Sequence, residues 1–330
     1  MRLLDARIDL DTRCNYHCVY CQNHSVAAEG QTWFPIDKLC SILPVLGRSC
    51  WSVYLSCGGE PLLHPRFEEA LSIVNKTLCG KDVVIVTNGL ALDARKASAI
   101  LESCVSRVQL SVHTVDPVLY SHLYGCSESD FFRVKNNIEN ILRTRGGKKW
   151  PKILLTAIAM KSTIRGLPDV AKWGVDAGID GMRVQWLEPF DTVGMDAEVI
   201  ENSEDVAAKL SETRRILGSK GAFMDWPSSM ETKKIMSVLR GAPLMRNRYD
   251  YFAALSGKFM ASRRKKICHL AGYSFRVGNN GDIKFCHRDA LSMPNILENP
   301  SVNLSRVFKE AVQNLDCNTN EKCRECPFRP

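Results

Sequence analysis

Residues 82–87 read DVVIVT and stop at Asn88-Gly89. A nearly unbroken β-branched run of this length suits a strand of a parallel sheet that is covered on both faces. Runs of the same kind lie on either side. Upstream are 3–10 (LLDARIDL) and 52–57 (SVYLSC); downstream are 107–112 (RVQLSV), 152–159 (KILLTAIA) and 181–187 (GMRVQWL). Between them the spacing is helical. Phe67, Ala70, Leu71, Val74 and Leu78 follow Pro65, which suits a first-turn position, and Gly80 closes the helix. Asn202 or Ser203 can cap a further helix running to about Leu217. Strands alternating with helices predict an α/β fold with a parallel sheet and right-handed crossovers. Six such units fall short of the eight that close a barrel.

The chain has 330 residues, 45% hydrophobic and 24% charged, which is ordinary for a globular protein with a substantial core. No apolar run approaches a membrane span, and the N-terminal MRLLDARIDLDTR lacks a signal-peptide core. A cytoplasmic protein without membrane contact is the expectation. Fourteen cysteines then point to metal ligation rather than to disulfides. The net charge of +8 fits an anionic partner or, more simply, a solvated basic face. Between 220 and 266 periodicity weakens and Arg246, Arg248, Arg263, Arg264, Lys265 and Lys266 accumulate, as in a bridging segment.

The cysteines fall into two groups. Cys14, Cys18 and Cys21 occupy eight residues, CNYHCVYC, just after the first strand. Gaps of three and then two residues suit one ligand set around an iron–sulfur cube in which one iron has no protein ligand. A zinc site completed by His17 or His24 is the alternative. The second group begins at residue 267. Cys268 and Cys286 bracket GYSFRVGNNGDIKF, where Asn280-Gly281 signals a type I′ hairpin turn. An amphipathic helix near 303–315 follows, and then Cys317, Cys323 and Cys326. A zinc knuckle from these thiolates is open on spacing alone.

CX3CX2C, with Gly58-Gly59-Glu60-Pro61 after the second strand, resembles the signature of the radical S-adenosylmethionine (SAM) superfamily. The C-terminal pattern CX12GX4C with a terminal CX2C resembles the single-cluster twitch form of the SPASM/twitch subfamily. The resemblance implies a partial (β/α)6 TIM-like barrel over 1–200, a helical and basic bridge over 201–266, and a small cysteine-rich α+β domain over 267–330. It implies a [4Fe–4S] cluster on Cys14, Cys18 and Cys21 whose open iron chelates SAM. It also implies one auxiliary [4Fe–4S] cluster on Cys268, Cys286, Cys323 and Cys326. Five cysteines in the C-terminal group are too few for the second auxiliary cluster of a full SPASM domain. Gly58, Gly59 and Glu60 would receive the SAM ammonium, with the glycines allowing close backbone approach. Tyr20 would lie near the adenine, Ser111 near the ribose or the methionyl carboxylate, and Leu187 with Glu188 would contact adenine through backbone. Asn88 and Lys161 could also face the cavity, and His113 could relay a proton or simply be a satisfied rim residue.

The resemblance implies a 5′-deoxyadenosyl radical that takes hydrogen from a substrate, followed by oxidation (dehydrogenation) or epimerisation. An epimerase needs a thiol to return hydrogen, and the candidates in order are Cys126, Cys317 and Cys57. Cys40, Cys50, Cys79 and Cys104 are most simply core residues. The cysteine loop starts at residue 14, which leaves no room before it for a leader-recognition domain and tilts the expectation towards a small molecule or short peptide in natural-product biosynthesis. A peptide maturase that forms a cross-link with a separate recognition protein is the near alternative. A non-catalytic zinc or nucleic-acid-binding module is the distant one. Under the leading reading the electron donor is of flavodoxin or ferredoxin type, and no nucleic acid is bound.

Overall fold

The computed structural model describes residues 3–21, 32–56, 58–187, 194–200, 203–225, 274–284, 293–304, 306–307 and 310. The chain runs β1 (Leu3–Ile8), α1 (Ile36–Ser49), β2 (Cys50–Tyr54), α2 (Phe67–Leu78), β3 (Asp82–Thr87), α3 (Ala94–Leu101), β4 (Arg107–Ser111), α4 (Pro117–Tyr124), α5 (Glu128–Arg145) and β5 (Lys152–Ala159). It continues through α6 (Leu167–Ala177), β6 (Gly181–Trp186), α7 (Glu204–Ser219), β7 (Phe223–Asp225), β8 (Ser274–Val277) and β9 (Ile283–Lys284). One sheet contains all the described strands, in the order β7-β6-β5-β4-β3-β2-β1-β8-β9. Every pairing is parallel except the β8–β9 hairpin.

The six strands expected from the patterning form, with shorter ends at β1 and an earlier start for β2. Alternation explains their placement. Val83 and Ile85 of β3, Val108 and Leu110 of β4, and Ile153, Leu155 and Ala157 of β5 join the helices in a continuous apolar core. The intervening positions build the opposite face, where buried polar residues lie among apolar ones such as Val84 and Leu154. Asp5, Gln109 and Thr156 are buried there, together with Asp9 just beyond β1.

Local chemistry sets the helix ends. Asp116 caps α4 by accepting from the amides of Val118 and Leu119, and Gly125 ends it at φ 58° in the left-handed region. Ser127 and Asp130 form a capping box at the start of α5. Ser203, one of the two caps expected, accepts from Val206 at the start of α7.

Three expectations are corrected. Pro65 lies outside α2, whose N-cap is Arg66, because His64 first closes a 3-10 turn over Pro61–Leu63. The hairpin around Asn280-Gly281 is real but is not a two-residue turn. β8 and β9 pair at Val277↔Ile283 across a loop that Gly278 closes by bonding to Asp282 O. That hairpin is also continuous with the barrel sheet, since β8 pairs with β1 from Asp5↔Ser274 to Ile8↔Val277. Lastly, Cys50 is a core residue, but Cys40 and Cys79 are exposed. The bridging segment over 226–266, most of the helix near 303–315 and every cysteine of the C-terminal group lie outside the described residues. Among the described residues no helix is long and apolar enough to cross a membrane.

Candidate active site

The cysteine loop leaves the end of β1 and is zipped to its surroundings by backbone. His17 N donates to Tyr124 O and Val19 N to Leu123 O, each at 3.0 Å, which docks one side of the loop on the C-terminal turn of α4. Gly125 allows this approach, since a Cβ there would stand 2.5 Å from His17 O. On the other side Glu60 N donates to Arg13 O at 2.8 Å. Gly59 packs so closely that a Cβ would meet Asp11 O at 2.3 Å and Arg13 O at 2.7 Å. The space that the glycine at 59 leaves open is therefore taken by the cysteine loop itself.

Cys14 is exposed, and Cys18 and Cys21 are half-buried. Burial pushes the Cys18 thiol up to about 12 and the Cys14 thiol upward, and in both cases the neighbouring cysteine sulfurs add to the shift. Each of these two sulfurs has donors aimed at it. Tyr16 N and Asn88 Nδ2 (3.7 Å) face Cys14, and the Tyr20 hydroxyl faces Cys18. Donors around sulfurs that repel one another as thiolates fit a cationic cluster at this loop, which would lower those proton affinities. Among the described residues no three His, Cys, Asp or Glu side chains draw together as a single-ion site. A cubane, with its ligands on separate iron corners, asks for wider spacing than one ion does.

Glu60 is buried and bridges loops rather than lying exposed. Its Oε1 accepts from Thr87 Oγ1 (2.7 Å) and Leu62 N (3.1 Å), and its Oε2 from Asn88 N (2.8 Å). Burial raises its carboxyl to about 7 in spite of these donors. Asn88 is the hub at the end of β3. Besides facing Cys14, its Nδ2 donates to Asn15 Oδ1 at 2.7 Å, and its Oδ1 accepts from Leu90 N at 2.9 Å.

Tyr20 sits in an aromatic cluster. Its ring centroid lies 4.9 Å from that of His113 and 6.0 Å from that of Tyr124, which is itself stacked on His113 at 5.1 Å. His113 is buried, and its Nδ1 accepts from Ile158 N at 3.3 Å, so its proton resides on Nε2. Burial lowers it to about 3, which keeps the ring neutral and makes an ordinary proton relay at this position unfavourable. Ser111 ends β4 half-buried, with its carbonyl accepting from the Tyr124 hydroxyl at 2.9 Å. Leu187 is buried just past β6, whereas Lys161 is exposed. Cys126 follows Gly125 and shares a hydrogen bond with Tyr16; burial raises its thiol to about 11. Cys57, Cys317 and Glu188 lie outside the described residues.

Sequence reading missed the polar floor. The Tyr54 hydroxyl, Gln109 Nε2, Thr156 Oγ1 and His113 Nε2 are buried without a hydrogen-bond partner among the described residues. Strand parity was the signal that could have found Tyr54, Gln109 and Thr156, since each occupies the non-core parity of its strand. Buried polar atoms left open along one sheet face mark positions for a ligand or ordered water. A cavity of about 330 Å³ lies elsewhere, between Leu90, Lys96 and Asn137, and none of its lining residues belongs to the candidate site.

The family model of the Radical SAM superfamily matches residues 10–156, from the end of β1 into β5. Over that stretch the chain is similar to the radical SAM superfamily. A curated relative from Methanocella arvoryzae, a probable GTP 3',8-cyclase, is 30% identical over 141 residues, 43% of this chain and 44% of that protein. The GTP 3',8-cyclase of Rhizobium etli is 27% identical over 231 residues, 66% of this chain and 60% of that protein. The chain thus spans about half the length of these relatives. Among solved structures, SuiB of Streptococcus suis bound to S-adenosylmethionine aligns over 98% of this chain and 72% of its own, with TM-score 0.67 and 16% identity. The anSMEcpe enzyme with bound AdoMet aligns over 98% of this chain and 86% of its own, with TM-score 0.63 and 16% identity. These likenesses establish the partial-barrel fold.

Proposed function

We propose that the chain is a radical SAM enzyme that takes a hydrogen atom from a small molecule or short peptide and completes an oxidation or an epimerisation. The observation that carries this reading is the docking of the cysteine loop on one side against Gly59-Glu60 and on the other against α4. Cys14, Cys18 and Cys21 would hold the cluster, leaving one iron for SAM. When bound, the pair supplies an electron to the sulfonium and a 5′-deoxyadenosyl radical, which is the hydrogen-abstracting agent. The protein's own part is to position and to shield. Glu60 and the Gly58-Gly59 backbone would receive the SAM ammonium, Tyr20 would border the adenine, and Ser111 and Leu187 would contact the ribose side and the adenine. Asn88 orients Cys14 while holding Glu60's carboxylate through its own amide. Gln109 and Thr156, with open hydrogen-bonding capacity on the barrel's polar face, would meet substrate groups.

Cys268, Cys286, Cys323 and Cys326 would hold an auxiliary [4Fe–4S] cluster that accepts the second electron in an oxidation. A flavodoxin or ferredoxin-type protein would supply the first. For an epimerisation Cys126 is the donor best described; its raised proton affinity keeps it an S–H thiol at neutral pH, the form that can return a hydrogen atom. A second reading has support in the curated relatives to which part of this chain is similar: 3',8-cyclisation of GTP, the activity their names state.

The test is anaerobic reconstitution. About eight irons per chain, falling to about four when Cys14, Cys18 and Cys21 are replaced, and 5′-deoxyadenosine formed only with reductant, support the proposal. Colourless protein holding zinc overturns it. Solvent deuterium at an inverted carbon selects epimerisation, and GTP consumption selects the second reading.

A further inference from the structure

From the geometry we infer that Arg276 on the C-terminal strand β8 is a positioning residue for the SAM-binding turn, so that the C-terminal segment completes the cradle that the barrel presents to SAM. This rests on the radical SAM reading and adds a residue to it. β8 lies beside β1 in parallel register, with Arg7↔Arg276 and Ile8↔Val277 paired. From there the Arg276 guanidinium bonds through Nε to Asp9 Oδ2. Asp9 is 1% exposed, and its other oxygen, Oδ1, accepts from Gly58 N at 2.6 Å. One buried carboxylate therefore joins a residue near the C-terminus to the first amide of Gly58-Gly59-Glu60. A charge-assisted pair of this kind fixes direction as well as distance.

Gly58 supplies the second observation. A Cβ at that position would lie 2.0 Å from one terminal nitrogen of Arg276 and 2.8 Å from its central carbon. The absence of a side chain at 58 is thus what allows the guanidinium to settle over the turn and reach Asp9. Gly59, by contrast, answers to the cysteine loop. The two glycines serve two different neighbours, and one of those neighbours comes from the far end of the chain.

The test uses full-length protein and two readouts. In the metal-free chain, Arg276→Ala is expected to speed amide hydrogen exchange at Gly58–Glu60 while peptides from β4 and β5 keep their protection; Arg276→Lys restores part of it. In the reconstituted enzyme, Arg276→Ala is expected to weaken SAM binding roughly tenfold, with little change in turnover at saturating SAM. Gly58→Ala should weaken binding in the parent protein, where it displaces the guanidinium, and add nothing once Arg276 is already alanine. Unchanged exchange at Gly58–Glu60 in Arg276→Ala overturns the inference. So does a Gly58→Ala penalty of equal size in both backgrounds, which would assign that glycine to the ligand. Because the exchange measurement needs neither cluster nor SAM, it judges Arg276 even if the parent chain fails to bind them, the result that would overturn the enzymatic reading instead.

Discussion

Asn88 and Cys14, 74 positions apart in the chain, meet with the amide nitrogen of one 3.7 Å from the sulfur of the other. The same nitrogen donates to Asn15 Oδ1, so the asparagine grips both residues at the mouth of the cysteine loop. Hydrogen bonds to a ligating sulfur stabilise the more negative, reduced cluster. Replacing Asn88 by Ala should therefore shift the N-terminal cluster to a more negative potential, measured by redox titration followed by electron paramagnetic resonance. An unchanged potential would show that the contact does not persist in the loaded protein.

Gly59 and Gly218 should respond to alanine in opposite directions. At 59 the added carbon meets backbone of Asp11, Thr12 and Arg13, which has no free end to swing away. A loss of about 1–3 kcal/mol in stability, together with poor iron incorporation, is expected. Gly218 lies exposed near the end of α7, with nothing within 4 Å of its missing Cβ. Alanine there should stabilise by about 0.5–1 kcal/mol. Thermal melts of the two variants check both signs.

Two buried groups should give the metal-free protein opposing pH dependences. Glu60 titrates at about 7 in the fold against an ordinary 4.5, so between these values the folded chain holds more proton than the unfolded one. Its contribution to stability falls as pH rises through that window, by at most about 1.4 kcal/mol per pH unit. His113 titrates at about 3 against 6.5, so the unfolded chain is the better proton binder, and stability falls as pH drops below about 6.5. Glu60→Gln should remove the first slope and His113→Gln the second, read from denaturant midpoints between pH 4 and 8.

Replacing Cys126 separates two roles for that thiol. If it returns hydrogen to the substrate, Cys126→Ser should keep 5′-deoxyadenosine formation within about twofold while product with solvent-derived deuterium falls at least tenfold. A parallel loss of both would mean that its bond to Tyr16 chiefly supports the cysteine loop.

Much of the barrel was legible in the sequence, because β-branched runs such as DVVIVT leave few other conformations open to a buried segment. The cysteine loop and Gly58-Gly59-Glu60 were equally legible, being contiguous. What escaped depends on neighbours distant in the chain. β7, only Phe223–Asp225, is too short to carry a periodic pattern and exists by pairing with β6. The pairing of β8 with β1 joins residues some 270 positions apart, with no local signal for it. Asp9 carries no local signal, because its role depends on Gly58 and Arg276, which share its two oxygens. The loop closed by Gly278 and Asp282 replaced the tight turn expected at Asn280-Gly281, because Asn295 reaches in to bond Asn280 O and Asp282 Oδ1.

The backbone bonds from His17 and Val19 to α4, and from Glu60 to Arg13, fasten the cysteine loop to two separate parts of the barrel. A change that frees either anchorage, even one far from any sulfur, should therefore be felt at all three thiols together.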